Sequence, residues 1–118
     1  SRYARMARNE VTMHEKERKT AQLMEETIRS KDMEALRYVM ESPLGRHFMA
    51  RLLDTTRIYS PLSNETTLLD EGRRRVGLEY VRLIQSMGLE GMKLLHQMEE
   101  EYAEKRIELE RMKTTWTN

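Results

Sequence analysis

This sequence predicts an all-α fold, a small helical core with long charged helices at its N- and C-terminal ends, and three observations carry that expectation. The 118 residues are rich in Glu, Lys, Arg, Leu and Met, with only two prolines, and 35% charged residues stand beside 38% hydrophobic ones; such a balance fits long helices. Ser42-Pro43 is a helix start signal, serine as N-cap and proline at the first helical position. Near the end, Leu95, Met98, Tyr102, Lys105, Leu109, Met112 and Trp116 recur at alternating spacings of three and four, a coiled-coil-like seam with one polar member. One small domain suits this length. The apolar content is thin for helices that each bury a full face, so part of the chain is expected to leave the core or lean on a partner. The organisation read from the sequence is an N-terminal helical arm at 1–29, a compact core at 30–98 and a C-terminal helical extension at 99–118.

Residues 2–29 hold no glycine or proline and read as one helix. Its apolar positions Tyr3, Met6, Met13, Leu23, Met24 and Ile28 are sparse, and the run HEKERKTAQ at 14–22 offers a core almost nothing, the pattern of a solvated or partner-bound helix. Ser30 is expected to cap a second helix, with Asp32 and Glu34 in its first turn where the dipole favours acids and Met33, Leu36, Tyr38, Val39 and Met40 as its apolar surface. The next helix, from Pro43 to about residue 54, aligns Leu44, Phe48 and Leu52 with Met49 and Leu53 beside them. Phe48, the sole phenylalanine, is expected near the centre of the core together with Leu52.

Residues 55–63 read as irregular, since Pro61 discourages a strand, with Ile58, Tyr59 and Leu62 pinning the loop to the core. Asn64 is expected to cap a helix reaching about Met87, buried through Leu68, Leu69, Val76, Tyr80, Val81 and Ile84, and Gly88 to end it. The last helix runs from 89 to about 113. Beyond Glu99 its other faces are almost entirely charged, so this half is expected to project.

The residues also exclude much chemistry. Without cysteine there is no disulfide, thiolate zinc site or thiol nucleophile, a usage that suits a reducing cytoplasm. His14, His47 and His96 are isolated and match no metal-ligand spacing, and the phosphate-cradling and nucleophile-elbow glycine patterns are missing. Glu99, Glu100 and Glu101 point in three directions on a helix and read as a solvated face. No enzyme, cofactor, metal or small-molecule substrate is expected. A net charge of +1 is not that of a general polyanion binder. No apolar run approaches the roughly 20 residues that span a bilayer, and no signal peptide is expected. Because the first residue is Ser1 rather than Met, a missing or cleaved N-terminal segment is an expectation.

What remains is docking chemistry. Glycine inside an exposed helix costs about 1 kcal/mol relative to alanine, so Gly72 and Gly77 ask for a reason, and close approach of another backbone supplies one. Between them lie Arg73, Arg74 and Arg75, about 100° apart around the helix, each serving a different neighbour. One reading pairs them with Asp70, Glu71 or Glu79, Glu71 and Arg75 being in the favourable i, i+4 order. A second gives them an acidic protein partner and a third nucleic acid. Arg2, Arg5 and Arg8 around Tyr3 and Met6 read either as a basic amphipathic docking tip or as frayed solvated helix. Ten methionines serve as core filler or as adaptable contact surface. Residues 1–30 carry seven basic and five acidic side chains and residues 89–118 five and seven, so the two ends attract within one chain or between chains. Met98, Tyr102, Leu109, Met112 and Trp116 join the arginines as candidate partner-binding residues.

Residues 42–102 resemble a family of small helical proteins of short-tailed, podovirus-type bacteriophages, encoded in the head-assembly block near the portal, scaffold and capsid genes. The matching run is SPLGRHFMARLLDTTRIYSPLSNETTLLDEGRRRVGLEYVRLIQ. Its elements are Gly45-Arg46, Leu52-Leu53-Asp54, Ile58-Tyr59, Asn64, Glu71-Gly72-Arg73-Arg74 and Val76-Gly77-Leu78. Leu52, Leu68 and Leu69 stand where the family's middle section has aromatic residues, and the flanking helices lie outside the resemblance. It implies a virion or assembly component without enzymatic activity, found in the virion and, during assembly, in the host cytoplasm. Its partners would be other virion proteins, ring-shaped and close to the portal or capsid, at the portal or head–tail region. Two alternatives stay open: a DNA-packaging accessory resembling a small terminase subunit, and a generic self-associating coiled-coil adaptor.

Overall fold

Nothing between Arg2 and Glu41 interrupts a helix, and in the computed structural model, which describes residues 1–61 and 67–117, the stretch forms one 40-residue helix, α1 (Arg2–Glu41). The Ser1 hydroxyl caps it by accepting the Ala4 N–H at 3.2 Å. Thr12, Thr20 and Thr27 each donate to the carbonyl four residues back at 2.8 Å, which occupies their hydroxyls within the helix. The helix start expected at Ser30 does not occur. A serine caps only where the chain leaves helical dihedrals, and Ser30 sits between Arg29 and Lys31, good helix formers that carry straight through it.

The chain divides into two units, Ser1–Ala35 and Leu36–Asn118. In the first, every side chain is exposed except the half-buried Met33, so this stretch has no core of its own.

The second unit opens with the last turns of α1. The chain then turns at Ser42, whose extended backbone and hydroxyl, accepting the Gly45 N–H at 3.0 Å, cap α2 (Pro43–Thr55) with proline in its first turn, as the sequence indicates. A Cβ at Gly45 would run into the Val39 carbonyl, so the sharp corner between α1 and α2 requires glycine. After α2 the backbone reverses through Thr56 and Arg57, the latter at φ 58°. α3 (Leu68–Gln85) is capped by Thr67 in a reciprocal box with Asp70. Thr67, with extended backbone, replaces the expected cap Asn64; Asn64 and Leu62 lie outside the described residues. The turn after α3 passes through Gly88 at φ 78° into α4 (Leu89–Thr117). Among the described residues there is no strand, and the all-α class is met.

α2 and α3 each pack on α4 and on one another. The core consists of Met40, Met49, Ala50, Leu53, Ile84, Leu95 and Met98, bordered by Leu36, Val39, Leu52, Ile58, Val81, Leu94 and Tyr102. Three of its seven members are methionines, which fill an irregular meeting of helix ends.

Two faces differ from expectation. α2 turns Arg46, Met49, Ala50 and Leu53 inward, the i, i+3, i+4, i+7 set of one helix face. The adjacent row of Leu44 and Phe48 therefore points outward, and Phe48 is 65% exposed instead of central. Leu52 borders the core rather than filling it. α3 buries Gly77 and Ile84, which rotates Leu68, Leu69, Val76 and Tyr80 into solvent. Gly72 lies on that open side with no atom within 4 Å of where its Cβ would stand, so the close packing expected there is absent. Gly77 is close-packed, against the Thr56 and Ile58 side chains of the turn rather than against another helix.

Candidate functional site

The seam between α2 and α4 joins two helices of the core through charge. Arg46 occupies an inward position of α2, so its guanidinium is buried and must be paired. Nε donates to Glu101 Oε1 at 2.9 Å and Nη1 to the Met40 carbonyl at 2.9 Å. That carbonyl belongs to the last turn of α1, where main-chain acceptors lack helical partners. One side chain thereby fastens α1, α2 and α4.

Two turns further along α2, Asp54 Oδ2 accepts from the Tyr102 hydroxyl at 2.6 Å. The Tyr102 ring meets His47 edge-on at 6.5 Å, and the Arg106 guanidinium stands 5.9 Å from its centroid. The Tyr59 hydroxyl donates to Glu99 Oε1 at 3.3 Å. Burial, then the charge of Glu99 and the bond to it, then the charge of Asp54, push the Tyr59 phenol up to about 12. Tyr59, Glu99, Tyr102 and Arg106, with Ala50, Met98 and Ala103, line an open cavity of about 230 Å³. The acids and tyrosines here satisfy one another across the helix pair, the arrangement of a fastening. Among the described residues no cluster of three or more His, Cys, Asp and Glu side chains could hold a metal ion.

Past Tyr102 the seam of α4 continues without cover. Leu95 and Met98 are buried and Tyr102 half-buried, whereas Leu109 is 55%, Met112 51% and Trp116 86% exposed. Lys105, the polar member of the row, pairs with Glu108 at 3.2 Å. The candidate partner-binding residues of α4 thus fall into two groups. Met98 and Tyr102 serve the core; Leu109, Met112 and Trp116 are open to a partner.

The three arginines part as the helical turn requires. Arg74 is half-buried and its Nη1 donates to the Ser60 carbonyl at 3.1 Å, holding the turn after α2. Arg73 adds its charge to the set that holds the Asp70 carboxyl below the usual carboxylate range, in which the Thr67 N–H and hydroxyl are the leading causes. Arg75 is exposed, and the expected Glu71–Arg75 ion pair does not form. Arg73 and Arg75 are therefore the members left facing outward. Tyr3 and Met6 are exposed at the basic tip of α1.

Arg46 is the functional-looking residue that sequence reading passes over. Its signal is spacing: a lone charge in register with Met49, Ala50 and Leu53 on an otherwise apolar face. No described helix is long and apolar enough to cross a membrane. No protein-family model, curated protein or solved structure matches the chain.

Proposed function

We propose that this protein is a non-enzymatic assembly component of a short-tailed bacteriophage, present in the virion, that docks by helix packing on a symmetric virion component at the portal or head–tail region. The observation that carries the docking is uncovered apolar surface on two long helices. Tyr3, Met6, Met13, Leu23, Met24 and Ile28 are exposed along α1, and Ile107, Leu109, Met112 and Trp116 along α4. Single exposed apolar side chains are ordinary; rows of them on helices mark surfaces that a partner covers. Arg73 and Arg75 bias that partner toward an acidic surface, and repetition around a ring lets individually weak contacts add. The phage assignment rests on the resemblance of residues 42–102.

The test is co-expression of the tagged full-length chain with the portal and capsid proteins of a short-tailed bacteriophage. A stoichiometric complex with the portal ring is the expected result. The packaging alternative predicts steeply salt-dependent affinity for short duplex DNA, which a net charge of +1 argues against. Salt-sensitive DNA binding without portal capture would replace the docking reading.

A further inference from the structure

α3 carries an apolar row that its own unit leaves open. Leu69, Val76 and Leu83 recur every seven residues with Gly72 and Tyr80 between them, all exposed, on a flank beside the face that buries Gly77 and Ile84. The row is about 21 Å long at 1.5 Å per residue. At Gly72 it dips to bare backbone with no neighbour, a hollow that admits a large side chain. The extension of α4 presents a second open row of the same pitch, Leu109, Met112 and Trp116. The charges beside the two rows are opposite in balance. Arg73 borders the α3 row on one edge, and Arg75 and Arg82 with Glu79 border it on the other. Residues 99–118 carry six acidic and four basic side chains.

We propose that the open row of α3 seats the C-terminal extension of α4 from a second copy of this chain. The chain's own extension does not cover it: these side chains are exposed, and α4 is one unbroken helix from Leu89 to Thr117 that cannot fold back onto α3. The α1 arm is the wrong occupant on charge, since residues 2–19 carry six basic side chains against three acidic ones, like the arginine border. Because the two faces differ, the contact is head-to-tail, and such contacts close into rings or run on as filaments. This narrows the docking reading on which it rests: the α4 row and the Arg73 and Arg75 border are taken up between copies, which supplies the repeat itself, and the apolar row of α1 alone is left to meet the virion component.

The experiment is the solution mass of the full chain by light scattering across a wide concentration range. The wild type should rise to twice the monomer mass or more. Val76→Glu and the double variant Leu109→Asp with Met112→Asp should each remain monomeric. Mixed, these two should form a 1:1 pair that grows no further, because each retains one sound face. A wild type that stays monomeric overturns the proposal, as does a mixture that stays monomeric. Persistent association of Val76→Glu also overturns it, since that would mean α4 pairing with α4. Leu69→Glu, at a more exposed position, repeats the α3 arm if Val76→Glu loses helicity by circular dichroism. No other protein enters this measurement, so its failure leaves capture by the portal to be judged separately.

Discussion

The two halves of α4 share one helix and one spacing and meet opposite fates. Leu95 and Met98 lie in the core, while Leu109, Met112 and Trp116, continuing the same three-and-four rhythm, face outward. The rhythm records that a helix has an apolar side; what covers that side is decided elsewhere in the chain. Here α2 engages α4 through Arg46–Glu101 and Asp54–Tyr102, and the burial of the seam ends with that turn. The most direct way to break the comparison is to truncate one methionine from each half. Met98→Ala removes a side chain that is 1% exposed and should cost about 2–5 kcal/mol. Met112→Ala should stay within about 0.5 kcal/mol. Urea unfolding followed by circular dichroism, at low concentration so that no second copy contributes, measures both. Equal losses would mean that the distal half is covered within the chain itself.

The boundary between the halves is polar, and the next largest effects belong there. Arg46 is 6% exposed at its side chain and Glu101 36%. Glu101→Gln leaves a buried guanidinium short of its counter-charge, and because the carboxylate is partly solvated the loss should be about 2 kcal/mol, below that of a fully buried pair. Arg46→Lys should lose a comparable amount, since an ammonium cannot reproduce the fork that reaches Glu101 and the Met40 carbonyl together. A neutral lysine variant would show that Arg46 acts as a point charge and not as a clasp. Tyr102→Phe deletes only the 2.6 Å bond to Asp54. It should cost about 1.5 kcal/mol, the lower end of the range for a hydrogen bond to a charged acceptor, read from the same unfolding curves.

The same contrast explains what could be read from the sequence. Ser42-Pro43 and Gly88 declare themselves because their work is finished within four residues: a hydroxyl for the Gly45 N–H, and a positive φ that glycine accepts. Ser30 misleads because a cap also needs a break, and neither neighbour provides one. Phe48 misleads because α2 is apolar on two adjacent rows, and a choice between them depends on the corner at Gly45 and on α4, which begins 46 residues after α2 does. α3 fails for the same reason. Its row from Leu69 to Leu83 is as regular as a buried face, yet Gly77, accommodating Thr56 and Ile58, fixes the neighbouring side as the inner one. In the candidate site, the distal seam of α4 is legible from spacing. Arg74 was legible as charge but not as a tie to the Ser60 carbonyl, which lies across a turn whose path the sequence does not dictate.

The smallest expected effect reports on the buried half alone. Tyr59 donates to Glu99, between the core residue Met98 and Tyr102, and its phenol is pushed from the ordinary value of 10.0 up to about 12. A raised value means that the folded chain holds the proton more tightly than the unfolded chain does. The associated stability is therefore fully present below about pH 10 and is lost as pH rises from there through about 12. Tyr59→Phe has no proton to lose and should flatten this part of the alkaline slope. At neutral pH it should cost little, since the side chain is half exposed and its bond to Glu99 is 3.3 Å long. Unfolding midpoints of wild type and variant, compared between about pH 8 and pH 11, should converge toward the alkaline end. Strictly parallel curves would mean that Tyr59 titrates as a solvated phenol and that the fastening does not extend to the turn after α2. Convergence in Tyr59→Phe but not in Met112→Ala would localise the coupling to the half of α4 that the core covers.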